Sequence, residues 1–268
     1  MPTSRNVSTD RWLLSVTLIQ TECTGLALNP SNLGSATGFF YRSGKNQYLI
    51  TNRHVVIDEK KSRYPDSIIL RVHTSDVDAT QNRDVRISLY DTKKLPIWLE
   101  HPILGKTVDV VAIEVTPYLK ETEAIYFLSQ NDFKPSNLLI GVGDSVLIMG
   151  YPMKFYDEKN NIAITKSGTV ASPYDIGFSG QPYFLIDANL QNGTSGSPVI
   201  LPASGIRRFS SDNVPKADST GFPPYLIGIH SGGNSLGLNQ VWYPSLINDI
   251  IGKGFKSPDS QPKGNTTH

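Results

Sequence analysis

Asn192-Gly193-Thr194-Ser195-Gly196-Ser197-Pro198 sets one serine between two glycines, with a proline three residues beyond it. Such a heptapeptide predicts a tight backbone turn that projects one hydroxyl and aims neighbouring amide N–H groups the same way. Acyl transfer needs both, a nucleophile and preorganised donors for the oxyanion it creates. The same letters also form plain surface turns between strands. Partners elsewhere in the chain have to separate the two readings.

A hydroxyl nucleophile needs a base, and the base needs a group that orients it. The chain has five histidines, His54, His73, His101, His230 and His268. His268 ends the chain, His73 follows the strand-like Leu70-Arg71-Val72, and His101 follows Glu100 in a loop. His54 comes directly after Tyr48-Leu49-Ile50-Thr51, through Asn52-Arg53, and precedes the apolar Val55-Val56-Ile57. A histidine in a short turn at a strand end suits a cleft. Asp109 opens Val110-Val111-Ala112-Ile113-Glu114-Val115, where an aspartate is either a turn-former or a carboxylate that orients another group. Cys23, the single cysteine, has no nearby histidine and reads as a structural thiol. One cysteine builds no intrachain disulfide and no thiolate metal site.

The periodicity is mostly two. Residues 12–19, 36–41, 48–51, 67–72, 85–90 and 110–115 read as strands, with Ser43-Gly44-Lys45-Asn46 as a hairpin turn. A second set spans 145–150, 163–170, 183–186, 198–201, 225–230 and 240–243. The expected fold is all-β: two antiparallel six-stranded β-barrels, since closure removes exposed strand edges. The expected divisions are an N-terminal barrel over 1–116, a linker over 117–136, a C-terminal barrel over 137–252 and a disordered tail over 253–268. Residues 244–251 read as a short helix with proline near its start. The apolar-poor stretch 202–224 reads as a long loop, mobile or functional.

Net charge is +1, from 25 Lys+Arg against 24 Asp+Glu, which supports neither a nucleic-acid partner nor a membrane-surface helix. The run Glu59-Lys60-Lys61-Ser62-Arg63 is balanced by acids and reads as a solvated loop. No signal peptide or spanning segment is visible, so the expected localisation is cytoplasmic.

Taken in chain order, His54, Asp109 and Ser195 resemble the chymotrypsin-like serine peptidases, in which two barrels meet and the triad straddles their interface. The matching segments are Tyr48 to Val56, Val108 to Val115 and Asp187 to Pro198, the last most similar to the bacterial HtrA/Deg branch. Val142-Gly143-Asp144-Ser145-Val146, Gly150-Tyr151-Pro152 and Ser167-Gly168-Thr169-Val170 add to the likeness. The α/β-hydrolase motif does not fit, because it requires glycine at 197, where serine stands.

The resemblance implies a serine endopeptidase without cofactor or metal, acting on a protein or peptide substrate. Ser195 would be the nucleophile, His54 the base and Asp109 its orienting acid, with the backbone N–H groups of Gly193 and Ser195 as oxyanion hole. Gly228-Ile229-His230-Ser231-Gly232-Gly233 resembles the pocket segment of glutamyl endopeptidases. It implies substrate binding by His230, Ser231 and Gly232, with Glu or Gln before the scissile bond. Asn189, at the pocket-base position, is neutral and speaks against a Lys/Arg preference. Thr194 replaces the aspartate of zymogen-type members, so activation through that ion pair is not expected. Too few residues follow Tyr243 for a PDZ domain, which implies a stand-alone protease domain. The rival readings are a catalytically weak protease-fold domain used for binding or regulation, and an esterase on the same fold. A regulatory protein partner would fit the missing zymogen lock.

Overall fold

The computed structural model describes residues 8–23, 31–204, 208–209 and 221–256. A short helix, α1 (Ser8–Leu13), leads into β1 (Val16–Cys23), β2 (Ser31–Ser43) and β3 (Asn46–Thr51). After the helical turn α2 (Arg53–Val56) come β4 (Ser67–His73), β5 (Asn82–Ser88), β6 (Trp98–Leu99) and β7 (Val111–Glu114). The second half contains β8 (Ser145–Gly150), β9 (Ile164–Val170), β10 (Tyr183–Asp187), β11 (Pro198–Leu201), β12 (Tyr225–Gly233) and β13 (Leu238–Trp242). Helix α3 (Ser245–Lys253) follows.

The second half is a closed barrel in the order β10-β13-β12-β11-β8-β9. The first is a seven-stranded antiparallel sheet, β5-β4-β1-β2-β3-β7-β6, where a closed six-stranded barrel was expected. Its edges meet over a short seam. Ile97 donates to the Leu89 carbonyl at 2.9 Å, and Tyr90 bridges to Pro96. Proline has no N–H to extend that ladder. The unexpected strand β6 has two residues, too few to show a period. The expected strand over 12–19 begins only at Val16. Ser15 closes a turn on the Trp12 carbonyl, with its Oγ at 2.6 Å, and Trp12 is buried in the core. The two halves together are the chymotrypsin-like fold.

Burial alternates along strands such as β5 and β9, β11 is buried throughout, and a single apolar cluster spans both halves. It contains Phe39, Ile50 and Ala112 from the first, and Met149, Ile200, Leu226 and Trp242 from the second, with Leu246 and Ile250 of α3 over it. The expected linker lies along β2, where Leu128 donates to Phe40 at 3.0 Å and accepts from Arg42 at 2.8 Å. Residues 253–256, expected in the tail, are part of the fold. Lys253 closes α3, and Phe255 pairs with Glu100, whose N–H donates to Phe255 at 3.0 Å. Residues 257–268, and most of the expected 202–224 loop, lie outside the described residues. Among the described residues no helix is long and apolar enough to cross a membrane.

Candidate active site

His54 sits in α2, and its neighbours decide where its ring goes. Val55, Val56 and Ile57 are buried in the first-half core. Arg53 turns inward, grips Glu59 through two 2.8 Å hydrogen bonds and reaches Glu100 at 3.1 Å. With those positions committed to the interior, His54 is left for the cleft, its side chain 35% exposed.

Asp109 lies just before β7 between the buried Val108 and Val110, with its carboxylate turned to His54. Its Oδ2 is 2.6 Å from His54 Nδ1, and its Oδ1 accepts the His54 backbone N–H at 2.9 Å. Ser231 Oγ donates to Oδ2 at 2.5 Å, and Asn52 Nδ2 donates to the Asp109 carbonyl at 2.7 Å. Burial alone would push this carboxyl up. The hydrogen bonds from His54 and Ser231 outweigh burial and hold it below the usual carboxylate range. An ionised Asp109 requires the proton on His54 Nδ1, which leaves Nε2 as an acceptor.

The turn carrying Ser195 is built on positive-φ glycines, Gly193 at +97° and Gly196 at +85°. A Cβ on Gly193 would lie 2.4 Å from the Tyr151 carbonyl, and one on Gly196 2.1 Å from that of Thr37. Only glycine fits either place. In a trans peptide the C=O and N–H point in opposite directions. Asn192 C=O accepts from Met153 N–H at 2.6 Å, and Thr194 C=O accepts from His230 Nδ1 at 2.9 Å. The N–H groups of Gly193 and Ser195 are thereby turned the other way, and neither has an acceptor among the described residues. The Ser195 hydroxyl donates to the Ser231 carbonyl at 2.9 Å.

Thr37, on β2, was not singled out from the sequence, yet it ties this turn to the first half. Its N–H donates to Ser195 C=O at 2.9 Å and its Oγ1 to Gly193 C=O at 2.7 Å. Its own carbonyl accepts from Thr51 Oγ1 at 2.8 Å. No local pattern marks such a threonine, because the partners it holds on this turn, Gly193 and Ser195, lie more than 150 positions away.

The expected pocket residues fall in different places. Ser231 is buried and its hydroxyl serves Asp109. His230 is 3% exposed. Its Nδ1 faces Thr194 C=O, and its Nε2 lies 3.3 Å from Asn239 Oδ1. That amide cannot flip, since Asn239 Nδ2 donates to Ala188 and Gly237 carbonyls, both at 2.8 Å. Burial holds the His230 imidazole below its usual range, against the pull of the Thr194 hydrogen bond. His230, Asn189, Gly232 and Asn239 line a cavity of about 370 Å³ that ends at Ser195. A neighbouring cavity of about 360 Å³ is lined jointly by His54, Gly193 and Ser195. Thr194, at the zymogen position, is buried and spends its hydroxyl on Gln191 C=O at 2.7 Å.

A family model described as "Trypsin-like peptidase domain" matches residues 36–205, a span that contains His54, Asp109 and Ser195. Among solved structures, Rv3671c from M. tuberculosis H37Rv, an inactive serine-to-alanine mutant, superposes with a TM-score of 0.50 at 14% identity. The match covers 93% of this chain and 90% of that one. At that identity the likeness is one of fold. No curated protein sequence matches the chain.

Proposed function

Since the chain belongs to the trypsin-like peptidase domain family, we propose that it is a serine endopeptidase hydrolysing protein or peptide bonds through an acyl-enzyme. The observation that carries this reading is the single cleft shared by His54, Gly193 and Ser195, with Asp109 2.6 Å behind the imidazole. Ser195 Oγ would leave the Ser231 carbonyl by a rotamer change, give its proton to His54 Nε2 and attack the scissile carbonyl. The Gly193 and Ser195 N–H groups would receive the oxyanion. His54 then returns the proton to the departing amine, and water repeats the cycle on the acyl-enzyme. On the motif of its serine segment we group the chain with the bacterial HtrA/Deg branch.

One observation favours the rival, a catalytically weak domain used for binding. The Ser195 hydroxyl is bonded to Ser231 C=O instead of the imidazole. A fluorophosphonate probe separates the two. Labelling of Ser195, with peptide cleavage by the same preparation, is expected; a folded chain that neither labels nor cleaves would be the binding domain. Gly193→Ala is expected to lower kcat by about 100-fold or more, because the Tyr151 carbonyl forces the turn to move and takes an oxyanion donor with it. Unchanged kcat in that variant would remove Gly193 from the mechanism.

For the residue before the scissile bond we propose Gln or Glu, read by His230. The Thr194 carbonyl claims a proton on Nδ1, and Nε2 faces the fixed Asn239 Oδ1, itself an acceptor, so a neutral ring lacks one of the two protons its partners call for and a protonated ring satisfies both. A glutamate carboxylate needs the ring protonated, and burial disfavours that near neutral pH. The Glu-to-Gln ratio of kcat/KM is therefore expected to rise as pH falls from 8 to 5.5. A ratio flat with pH, or cleavage dominated by Arg, would dismiss the His230 pocket.

A further inference from the structure

The charged side chains lining the cavities beside the candidate nucleophile are of one sign. The cavity shared by His54, Gly193 and Ser195 is also lined by Lys61 and Arg63. A third cavity, of about 550 Å³, adjoins it at Met153 and is lined by Lys166. Among the described residues, these two cavities and the one at His230 contain no aspartate or glutamate. The whole chain carries 25 Lys+Arg against 24 Asp+Glu, so the cationic lining is a local feature of the cleft.

The two acids beside Lys61 and Arg63 in sequence, Asp58 and Glu59, are both engaged. Glu59 grips Arg53 through both carboxylate oxygens. Asp58 is 8% exposed and accepts the Lys61 backbone N–H at 3.2 Å. Paired backbone hydrogen bonds of 2.9 Å between Asp58 and Arg63, with Ser62 at φ +51°, close the loop between them. Arg63 then crosses bare backbone. A Cβ on Gly34 would come 2.2 Å from its Nη2, so the missing side chain at 34 lets the guanidinium lie on the cleft wall. Lys61 Nζ is 3.9 Å from Asp58 Oδ2, and its side chain is 70% exposed, a loose pair that water and a competing carboxylate can replace.

We propose that the leaving-group side of this cleft selects acidic residues, with Lys61 and Arg63 reading Asp or Glu at the first two positions after the scissile bond. The side follows from the chemistry. His54 delivers its proton to the departing amine, so residues after the bond occupy the cavity that holds His54. The cavity at His230 takes the acyl side. This rests on the peptidase reading, and the substrate class it names is an acidic peptide segment.

The test uses quenched fluorescent peptides identical up to the scissile bond, with Asp, Asn or Lys at the first position after it and Glu, Gln or Lys at the second. The acidic peptides are expected to exceed their amide counterparts in kcat/KM by about fivefold, the upper range for one exposed pair. The basic peptides should be slower still. The advantage should shrink between 20 and 300 mM salt, where screening shortens to a few ångströms. Joint Lys61→Glu and Arg63→Glu substitution should invert the order, while Lys45→Glu, on the distant β2–β3 turn, should keep it. Equal rates for all three peptide classes, a salt-independent order, or an order that survives the joint substitution would overturn the proposal. No cleavage of any peptide together with no probe labelling would overturn the peptidase reading itself.

Discussion

Ser195→Ala is expected to lower kcat for peptide hydrolysis by about 10⁶-fold, to the residue left by binding and oxyanion donors alone. The fold should persist. The lost hydroxyl makes one hydrogen bond, to Ser231 C=O, worth about 1 kcal/mol. The turn itself is held by backbone bonds that alanine keeps. Thr37 N–H donates to residue 195 at 2.9 Å, Gly196 N–H to His230 at 2.8 Å and Ser197 N–H to Thr194 at 3.1 Å. Thermal unfolding should therefore move by a few degrees at most, and peptide affinity should be retained. His54→Ala should cost about as much, and the double variant no more, because nucleophile and base act in one proton transfer. Purified Ser195→Ala protein that cleaves at the parent rate would end the assignment.

Asp109→Asn is expected to cost about 10⁴-fold in kcat with little change in overall structure. The geometry says how. Oδ1 accepts the His54 backbone N–H, and Oδ2 accepts both His54 Nδ1 and Ser231 Oγ. An asparagine amide nitrogen at the Oδ1 position would meet the backbone N–H donor head on. The nitrogen therefore takes the Oδ2 position and donates to Nδ1, which moves the imidazole proton to Nε2. That tautomer cannot accept the Ser195 proton. The Asp109 carboxyl is held below its usual range, so its stabilisation is complete above the unfolded value of about 3.9 and is lost as pH falls through the folded value. Stability of the parent chain should thus fall more steeply than that of Asp109→Asn in acid. Activity lost between pH 5 and 7 belongs to another group. A variant with parental kcat, or with the same acid-stability profile as the parent, would remove Asp109 from this role.

The legible part of the molecule is the part written in local pattern. Alternation marked most of the strands, since burial alternates along strands such as β5 and β9, and failed at β6, where two residues carry no period. It also misread Trp12, whose burial comes from the end of a helix. The three candidate catalytic residues were marked by strand-end and turn chemistry combined with their order. The residues around them were not. Thr37, Asn52 and Asn239 act through partners scattered along the chain, and each looks in sequence like an ordinary polar strand or loop residue. Ser231 stood in the expected pocket segment, while its hydroxyl faces Asp109.

Family resemblance joined His54 with Asp109, while sequence pattern by itself determined the antiparallel β architecture and the glycine turn around Ser195. These depend on periodicity and on backbone conformations that few residues tolerate, both readable within a handful of positions. Only tertiary structure decided which way the peptide groups at Gly193 and Ser195 point, because N–H donors on Met153 and His230 hold the Asn192 and Thr194 carbonyls. It alone also set the charge of the cleft. On paper Asp58 and Glu59 offset two of the three cations at 60, 61 and 63. In space Glu59 is spent on Arg53, Asp58 holds the loop's backbone and faces Lys61 Nζ at 3.9 Å, and Lys61 and Arg63 line one cavity with His54.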